Sequence, residues 1–125
     1  MSDHRRTAQA SQAMNHYYNG SLSETKVSAV IGACNLYGFE IENNNSASEV
    51  FVQIFDKLEA NVTVGTTAPD YSFRIPAGAN FGKDPQSFPL RFHSIGVVIA
   101  CTSTRTGATA PASNCSINLW YWDKH

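Results

Sequence analysis

Residues 49–57 read Glu-Val-Phe-Val-Gln-Ile-Phe-Asp-Lys, and this stretch is the strongest indication of the fold. Val50, Val52 and Ile54 share one side of an extended strand, and the three residues that alternate with them share the other. Gln53 is the only polar member of these six, so both faces of the strand need apolar cover. The β-branched and aromatic content also disfavours a helix. The stretch therefore predicts a strand inside a sandwich or barrel, or at a subunit contact.

Short strand-like runs separated by turn residues fill the rest of the chain from residue 26 onward. These runs lie at residues 26–32, 36–42, 49–57, 61–66, 70–75, 88–92, 95–102 and 115–122. The run at 95–102 is apolar on both faces, as in 49–57, and residues 79–87 are expected to be a long connection. Seven or eight strands at a spacing of roughly 8–12 residues predict an all-β domain over residues 26–125. We expect an antiparallel β-sandwich, jelly-roll-like if eight strands are joined by long crossovers, with a barrel as the alternative.

Residues 1–25 differ from this body because they are polar and rich in Ala, Ser and Gln. Residues 7–19 favour a short helix closed by Gly20, or else Asn19-Gly20 forms a tight hairpin turn. A segment of this composition buries too little apolar surface to order itself. We expect an N-terminal arm that, if it is ordered, is ordered by a neighbouring molecule.

Composition fits either a protein that packs against others in an assembly or an ordinary soluble β domain. The 125 residues are enough for one domain with one core, and 42% of them are hydrophobic. Only 15% are charged, compared with about a quarter in ordinary domains, so little repulsion keeps copies apart. The net charge of −1 provides no field that would attract nucleic acid or an anionic membrane. No run reaches the roughly 18 apolar residues of a membrane span, and no apolar signal core follows the N-terminus, which predicts synthesis in the cytoplasm.

Catalytic and metal-binding patterns are not evident in the sequence. The four histidines are His4, His16, His93 and His125, and none has a partner signature for a catalytic triad. Histidine and cysteine are never at metal-ligand spacing, and no glycine-rich phosphate loop precedes a helix. We therefore expect neither an enzyme, nor a metal site, nor a cofactor.

The three cysteines are Cys34, Cys101 and Cys115, an odd number without a Cys-x-x-Cys spacing. They are interpreted as reduced, buried apolar residues. Cys101 and Cys115 flank an expected loop, so a disulfide between them outside the cell stays an open alternative.

Contact residues are the remaining candidates. Arg5 and Arg6 could touch phosphate, but two charges are too few to predict specific nucleic-acid binding. Tyr17 and Tyr18 could stack on bases, or else anchor the arm in the groove of a neighbour. The two tryptophans of Trp120-Tyr121-Trp122 belong either to the core or to a subunit or ligand contact. The candidate capsid or subunit contacts are Arg5, Arg6, His16, Tyr17, Tyr18, Trp120 and Trp122.

Several segments carry a family resemblance. They are Leu36-Tyr37-Gly38-Phe39, Asn43, Phe-Val-Gln-Ile-Phe-Asp at 51–56, Gly65-Thr66, Phe-Arg-Ile-Pro-Ala-Gly at 73–78, Gly-Val-Val-Ile-Ala-Cys-Thr-Ser-Thr at 96–104, and Trp120-Tyr121. Over about residues 30–122 the chain resembles a virion module that recurs in tailed bacteriophages. Such modules are small β-sandwiches that assemble, often as trimers, and they carry no catalytic residues to transfer.

The resemblance implies a capsid decoration (cement) protein on the outer surface of the virion. Its partners would be the major capsid protein, whose subunits it would bridge, and its own copies in a homotrimer. The alternative is a fibre or tail module that binds a host receptor or glycan through Trp120 and Trp122.

Overall fold

The computed structural model describes residues 15–83, 90–92 and 96–123. Within these ranges the chain forms nine strands and one 3-10 turn at Glu59–Asn61. The strands are β1 Asn15–Leu22, β2 Val27–Ile31, β3 Cys34–Glu42, β4 Val50–Phe55, β5 Tyr71–Ile75, β6 Asn80–Lys83, β7 Leu90–Phe92, β8 Gly96–Thr102 and β9 Cys115–Asp123.

The strands form two antiparallel sheets. In sheet 1 the order is β1-β9-β3-β6, and the short β7 pairs with the first part of β3. In sheet 2 the order is β2-β8-β4-β5. Buried residues from both sheets form one core cluster, within which the rings of Phe39 (β3) and Phe73 (β5) lie 4.9 Å apart. The predicted all-β, antiparallel β-sandwich is confirmed, while jelly-roll connectivity stays a prediction.

The strand that begins at Val50 is buried along its whole length, as its sequence predicts. Val50, Val52 and Ile54 belong to the core between the sheets. On the opposite face, Phe55 packs in a second buried cluster with Val98. Strand β8 is also buried at every position. It pairs with β4, so the two strands that are apolar on both faces lie side by side in the middle of sheet 2.

The outer face of sheet 2 is covered by segments of the same chain. Val62, which follows the 3-10 turn, packs on Phe55. The loop at residues 103–114 returns over the other end of β4, where the Arg105 guanidinium lies 5.0 Å from the centre of the Phe51 ring. The Nε2 group of Gln53 donates hydrogen bonds to Thr102 Oγ1 (2.7 Å) and to a main-chain carbonyl of this loop. This strand therefore has intramolecular cover, rather than the subunit contact that its sequence also allowed.

The segment at residues 15–22 differs from its prediction. It is neither a helix nor a hairpin turn at Asn19-Gly20, but strand β1 on the edge of sheet 1. Its main chain pairs with β9, and Tyr17 and Leu22 pack on the core. The segment is ordered by its own chain because its main chain pairs with the edge of β9. The side chains on one face of β1 then pack on the core. Residues 1–14, the rest of the expected arm, lie outside the described residues.

Other boundaries also differ from the sequence prediction. Asn80–Lys83, expected within a connection, forms β6 because its main chain completes the edge of β3. Residues 61–66, expected as a strand, form turns in which Thr66 donates its N–H to the Thr63 carbonyl. A β-bulge in β3 shifts the register with β9 between Leu36 and Gly38, so Leu36 and Phe39 both face the core.

Candidate contact surface

Four of the seven candidate contact residues lie together on the outer face of sheet 1. His16 on β1 is directly opposite Trp120 on β9, and Tyr18 is opposite Asn118. The residues that alternate with them, such as Leu119, face the core, so this set faces outward. We call His16, Tyr18, Asn118, Trp120 and Trp122 the outer strip.

The centre of the outer strip is held by a stacked pair. The rings of His16 and Trp120 are 5.2 Å apart between centroids, with an angle of 17° between their planes. His16 Nε2 lies 2.7 Å from Asn118 Oδ1, and since an amide oxygen only accepts, this hydrogen bond requires the tautomer with its proton on Nε2. The imidazole is therefore fixed from two sides, and with it the orientation of the Trp120 indole.

The ends of the outer strip carry its exposed large apolar side chains. Tyr18 has 61% and Trp122 has 38% of its surface exposed, and with Ile31 (81%) they form the set of exposed large apolar residues in the described ranges. The Tyr18 ring lies along the strand over Gly20, because a Cβ added at Gly20 would be 2.6 Å from the Tyr18 hydroxyl oxygen. The absence of a side chain at position 20 thus lets an aromatic ring lie flat on the sheet.

Strand β3 borders the outer strip on its other side. Gly38, the partner of Trp120, is buried, as expected if the indole extends over it. Glu40, the partner of Asn118, is exposed, and so is Glu42 two residues further along the same face. The surface is therefore an aromatic strip with one amide group, next to a row of carboxylates.

The other candidates have different positions. Tyr17 is on the opposite side of β1 from the outer strip, where it packs on the core and its hydroxyl accepts a hydrogen bond from Asn19 Nδ2 (3.1 Å). Arg5 and Arg6 lie outside the described residues. Chain connectivity nevertheless attaches residues 1–14 to β1 at Asn15, whose Nδ2 donates to Asp123 Oδ2 (3.2 Å) at the end of β9. Asn15, the first described residue, pairs with Tyr121 on β9.

Asn118 is the member of the outer strip that the sequence candidates did not include. Asn118 and Trp120 are two residues apart in a strand, so alternation predicts that they share a face, and this could have identified Asn118 as a candidate. Its role depends on the pairing of β1 with β9, because the hydrogen bond to His16 joins residues 102 positions apart. A local sequence pattern contains no information about that partner.

Titratable groups do not converge on the outer strip. No group of three or more His, Cys, Asp or Glu side chains that could hold a metal ion occurs in the part of the chain that the structure describes. Burial, together with the charges of Asp123 and Asp56, raises the pKa of the Cys34 thiol to about 11. The Cys34 thiol is thus protonated within the core at neutral pH.

A shallow depression lies on the rim of sheet 2. It is lined by small side chains and by Glu49 and Arg74, whose Oε1 and Nε atoms are 2.6 Å apart. Both side chains are about half exposed, so solvent screens the ion pair and it contributes little to stability. Among the residues that can be described, no helix has both the length and the apolar character needed to cross a membrane.

No protein-family model matches the chain, and no curated protein matches it in sequence. The resemblance to the tailed-phage virion module consequently stays a prediction.

Proposed function

We propose that this chain is a structural protein of a tailed-phage virion, a decoration (cement) protein that binds the outer capsid surface and bridges neighbouring major capsid subunits. The observation that carries the proposal is the outer strip: exposed aromatic side chains fixed on two paired strands at the edge of a sheet. The family resemblance supplies the identity of the partner.

The outer strip has the properties of a protein contact. Large aromatic residues contribute most of the binding energy in protein interfaces, and they act best where their orientation is already fixed. The His16–Trp120 stack provides that fixed orientation, and Tyr18 and Trp122 supply exposed apolar area at its two ends. Since these residues lie on strands rather than loops, binding them costs little conformational entropy.

Self-association fits the edge position of β1. This strand is the last in the order of sheet 1, so one side of its main chain faces away from the other described strands of that sheet. Exposed strand edges pair readily with another chain. A homotrimer would present three copies of the outer strip and of Arg5 and Arg6, so that weak contacts act together on the shell.

The test is binding to empty capsids of the cognate phage, measured by co-sedimentation. The double variant Tyr18→Ala/Trp122→Ala should bind at least about tenfold more weakly, because each residue is an exposed aromatic anchor. The matched control is Ile31→Ala, which removes an even more exposed apolar side chain from sheet 2. Unchanged occupancy of the double variant, or an equal loss in the control, would reject the outer strip as the contact.

A truncation tests the N-terminal segment separately. Because residues 15–22 form β1, a deletion must end at residue 14 to leave the sheet complete. The truncated protein should keep the thermal stability of the full chain and lose capsid affinity if Arg5 and Arg6 contact the shell. Native mass spectrometry of both forms reports whether the trimer depends on this segment.

The second candidate function is binding of a host receptor or glycan by a fibre module. Sugars stack on aromatic rings and need nearby hydrogen-bonding groups, and Trp120 lies beside the amide of Asn118 and the carboxylate of Glu40. A glycan array with the purified protein distinguishes the two functions. A hit that is lost in Trp120→Ala, with no capsid binding, would favour this candidate.

A further inference from the structure

The corner of the sandwich where β1 leads into β2 brings two cysteines together from different sheets. Cys115, the first residue of β9, is the register partner of Leu22 at the end of β1. The main-chain N–H of Cys101 on β8 donates to the carbonyl of Ser23, the next residue (2.8 Å). Main-chain contacts therefore hold the two cysteines next to Leu22 and Ser23, which are adjacent residues at the point where the chain passes from sheet 1 to sheet 2.

Their side chains meet inside the core. Both are fully buried members of the cluster between the sheets. A hydrogen bond between the two thiols lowers the pKa of Cys101, while burial opposes that shift. The same hydrogen bond, together with burial, raises the pKa of Cys115. The two sulfurs are thus direct neighbours, and Cys101 is the more acidic of the pair.

We infer that Cys101 and Cys115 are a disulfide-forming pair, which joins sheet 1 to sheet 2 once the protein meets a small-molecule disulfide oxidant such as glutathione disulfide. The bond would also close residues 102–114 into a loop, and this loop contains the segment that covers the outer face of β4. Cys34 would stay reduced.

The reaction is two successive thiol–disulfide exchanges. The Cys101 thiolate attacks one sulfur of the oxidant, so the bond within the oxidant breaks and one small thiol leaves. Cys115 then loses its proton, attacks Cys101 in the mixed disulfide and expels the second small thiol. The two protein thiols together lose two protons and two electrons, and the oxidant disulfide becomes two thiols. Because both sulfurs are buried between the sheets, attack requires local opening of the sandwich or takes place before the sheets close.

Peptide mapping of the wild-type protein tests the inference. The reduced protein is incubated with glutathione disulfide, with and without a sub-denaturing concentration of urea, and is then alkylated and digested with trypsin without reduction. Cleavage after Arg105 separates the two cysteines, so a disulfide appears as residues 92–105 linked to 106–124, with two hydrogens fewer than the separate peptides. Cys34, in the peptide 27–57, should be fully alkylated. Urea should speed the linkage, since it promotes local opening of the sandwich around the two buried sulfurs.

Thermal unfolding gives a second readout. The oxidised protein should melt roughly 10 °C above the reduced protein, since closing a loop of about 15 residues restricts the unfolded chain. Cys34→Ala is the matched control, and both the linked peptide and the oxidation-dependent shift should persist in it. Cys115→Ala should abolish both. Stable glutathione adducts without a bridge, or a linkage that includes Cys34, would overturn the inference, and neither result depends on capsid binding.

Discussion

Asn43 is the residue whose replacement tests the fold most sharply, because one buried side chain connects three segments. Its Nδ2 group donates to the carbonyls of Ser48 (2.8 Å), Pro76 (3.0 Å) and Ile75 (3.2 Å). Its Oδ1 accepts from the N–H of Asn45 (3.0 Å). The end of β3, the loop before β4 and the turn after β5 are thereby joined at one point, and only 5% of Asn43 is exposed.

The cost of Asn43→Ala follows from these contacts. The two hydrogens of Nδ2 and the one acceptor amount to about three hydrogen bonds, each contributing about 1 kcal/mol net. Buried carbonyls left without a donor add to the loss, and water that reaches the rim of the site reduces it. We expect the free energy of unfolding to fall by about 3 kcal/mol, which lowers the midpoint of thermal unfolding by roughly 10 °C in a domain of this size.

The assay is urea unfolding followed by tryptophan fluorescence, with calorimetry to check the thermal midpoint. The denaturation midpoint should fall without a change in slope, because the surface exposed on unfolding is the same. Asn44→Ala is the matched control: Asn44 is exposed and donates one bond to the Asn114 carbonyl (3.2 Å), so its loss should cost about 0.5 kcal/mol or less. Equal losses in the two variants would refute the reasoning, as would an Asn43→Ala protein as stable as the wild type.

Three further predictions concern the backbone, the core and the pH dependence. Gly65→Ala (φ 93°) places a Cβ 2.9 Å from the Ala108 Cβ, whereas Gly32→Ala (φ 107°) meets nothing within 4 Å. Both should lose about 1 kcal/mol to backbone strain, and calorimetry should show a further loss of about 1 kcal/mol for Gly65→Ala alone; equal losses would contradict the steric argument. Phe39→Ala should cost about 3–5 kcal/mol by urea unfolding, since it empties a fully buried site between the sheets; a loss below about 1 kcal/mol would show that the site collapses. Finally, the unfolded Cys34 thiol ionises near its ordinary pKa of 9.0 and the folded one only at about 11, so stability should fall as the pH rises through this window. The fall should be shallower in Cys34→Ala, and identical pH profiles of the two proteins would exclude the effect.

The fold class was predictable because its strongest signals are local. The apolar residues of β4 and β8 require cover on both faces wherever these strands lie in the sandwich. Alternation along β9 likewise placed Asn118, Trp120 and Trp122 on one face before any partner strand was known. These inferences needed only the period of two in an extended chain, and the structure agrees with them.

The candidate site was predictable only in part. The aromatic residues of the outer strip were recognisable by type, but Tyr17 was grouped with Tyr18 although adjacent residues of a strand face opposite sides. That assignment required knowing that residues 15–22 form a strand rather than a helix or turn. The polar composition of β1 conceals this, since its stability comes largely from main-chain hydrogen bonds that are the same for every sequence.

Local hydrophobic patterns were thus enough to predict an all-β sandwich or barrel and its two strands that are apolar on both faces. Long-range pairing was needed for the rest: the addition of β1 to β9, the His16–Trp120 stack, the loop over β4 and the meeting of Cys101 with Cys115. The physical reason is that side-chain periodicity is encoded within a few residues, whereas the partner of an edge strand is selected by main-chain groups and by the space left after the core has closed.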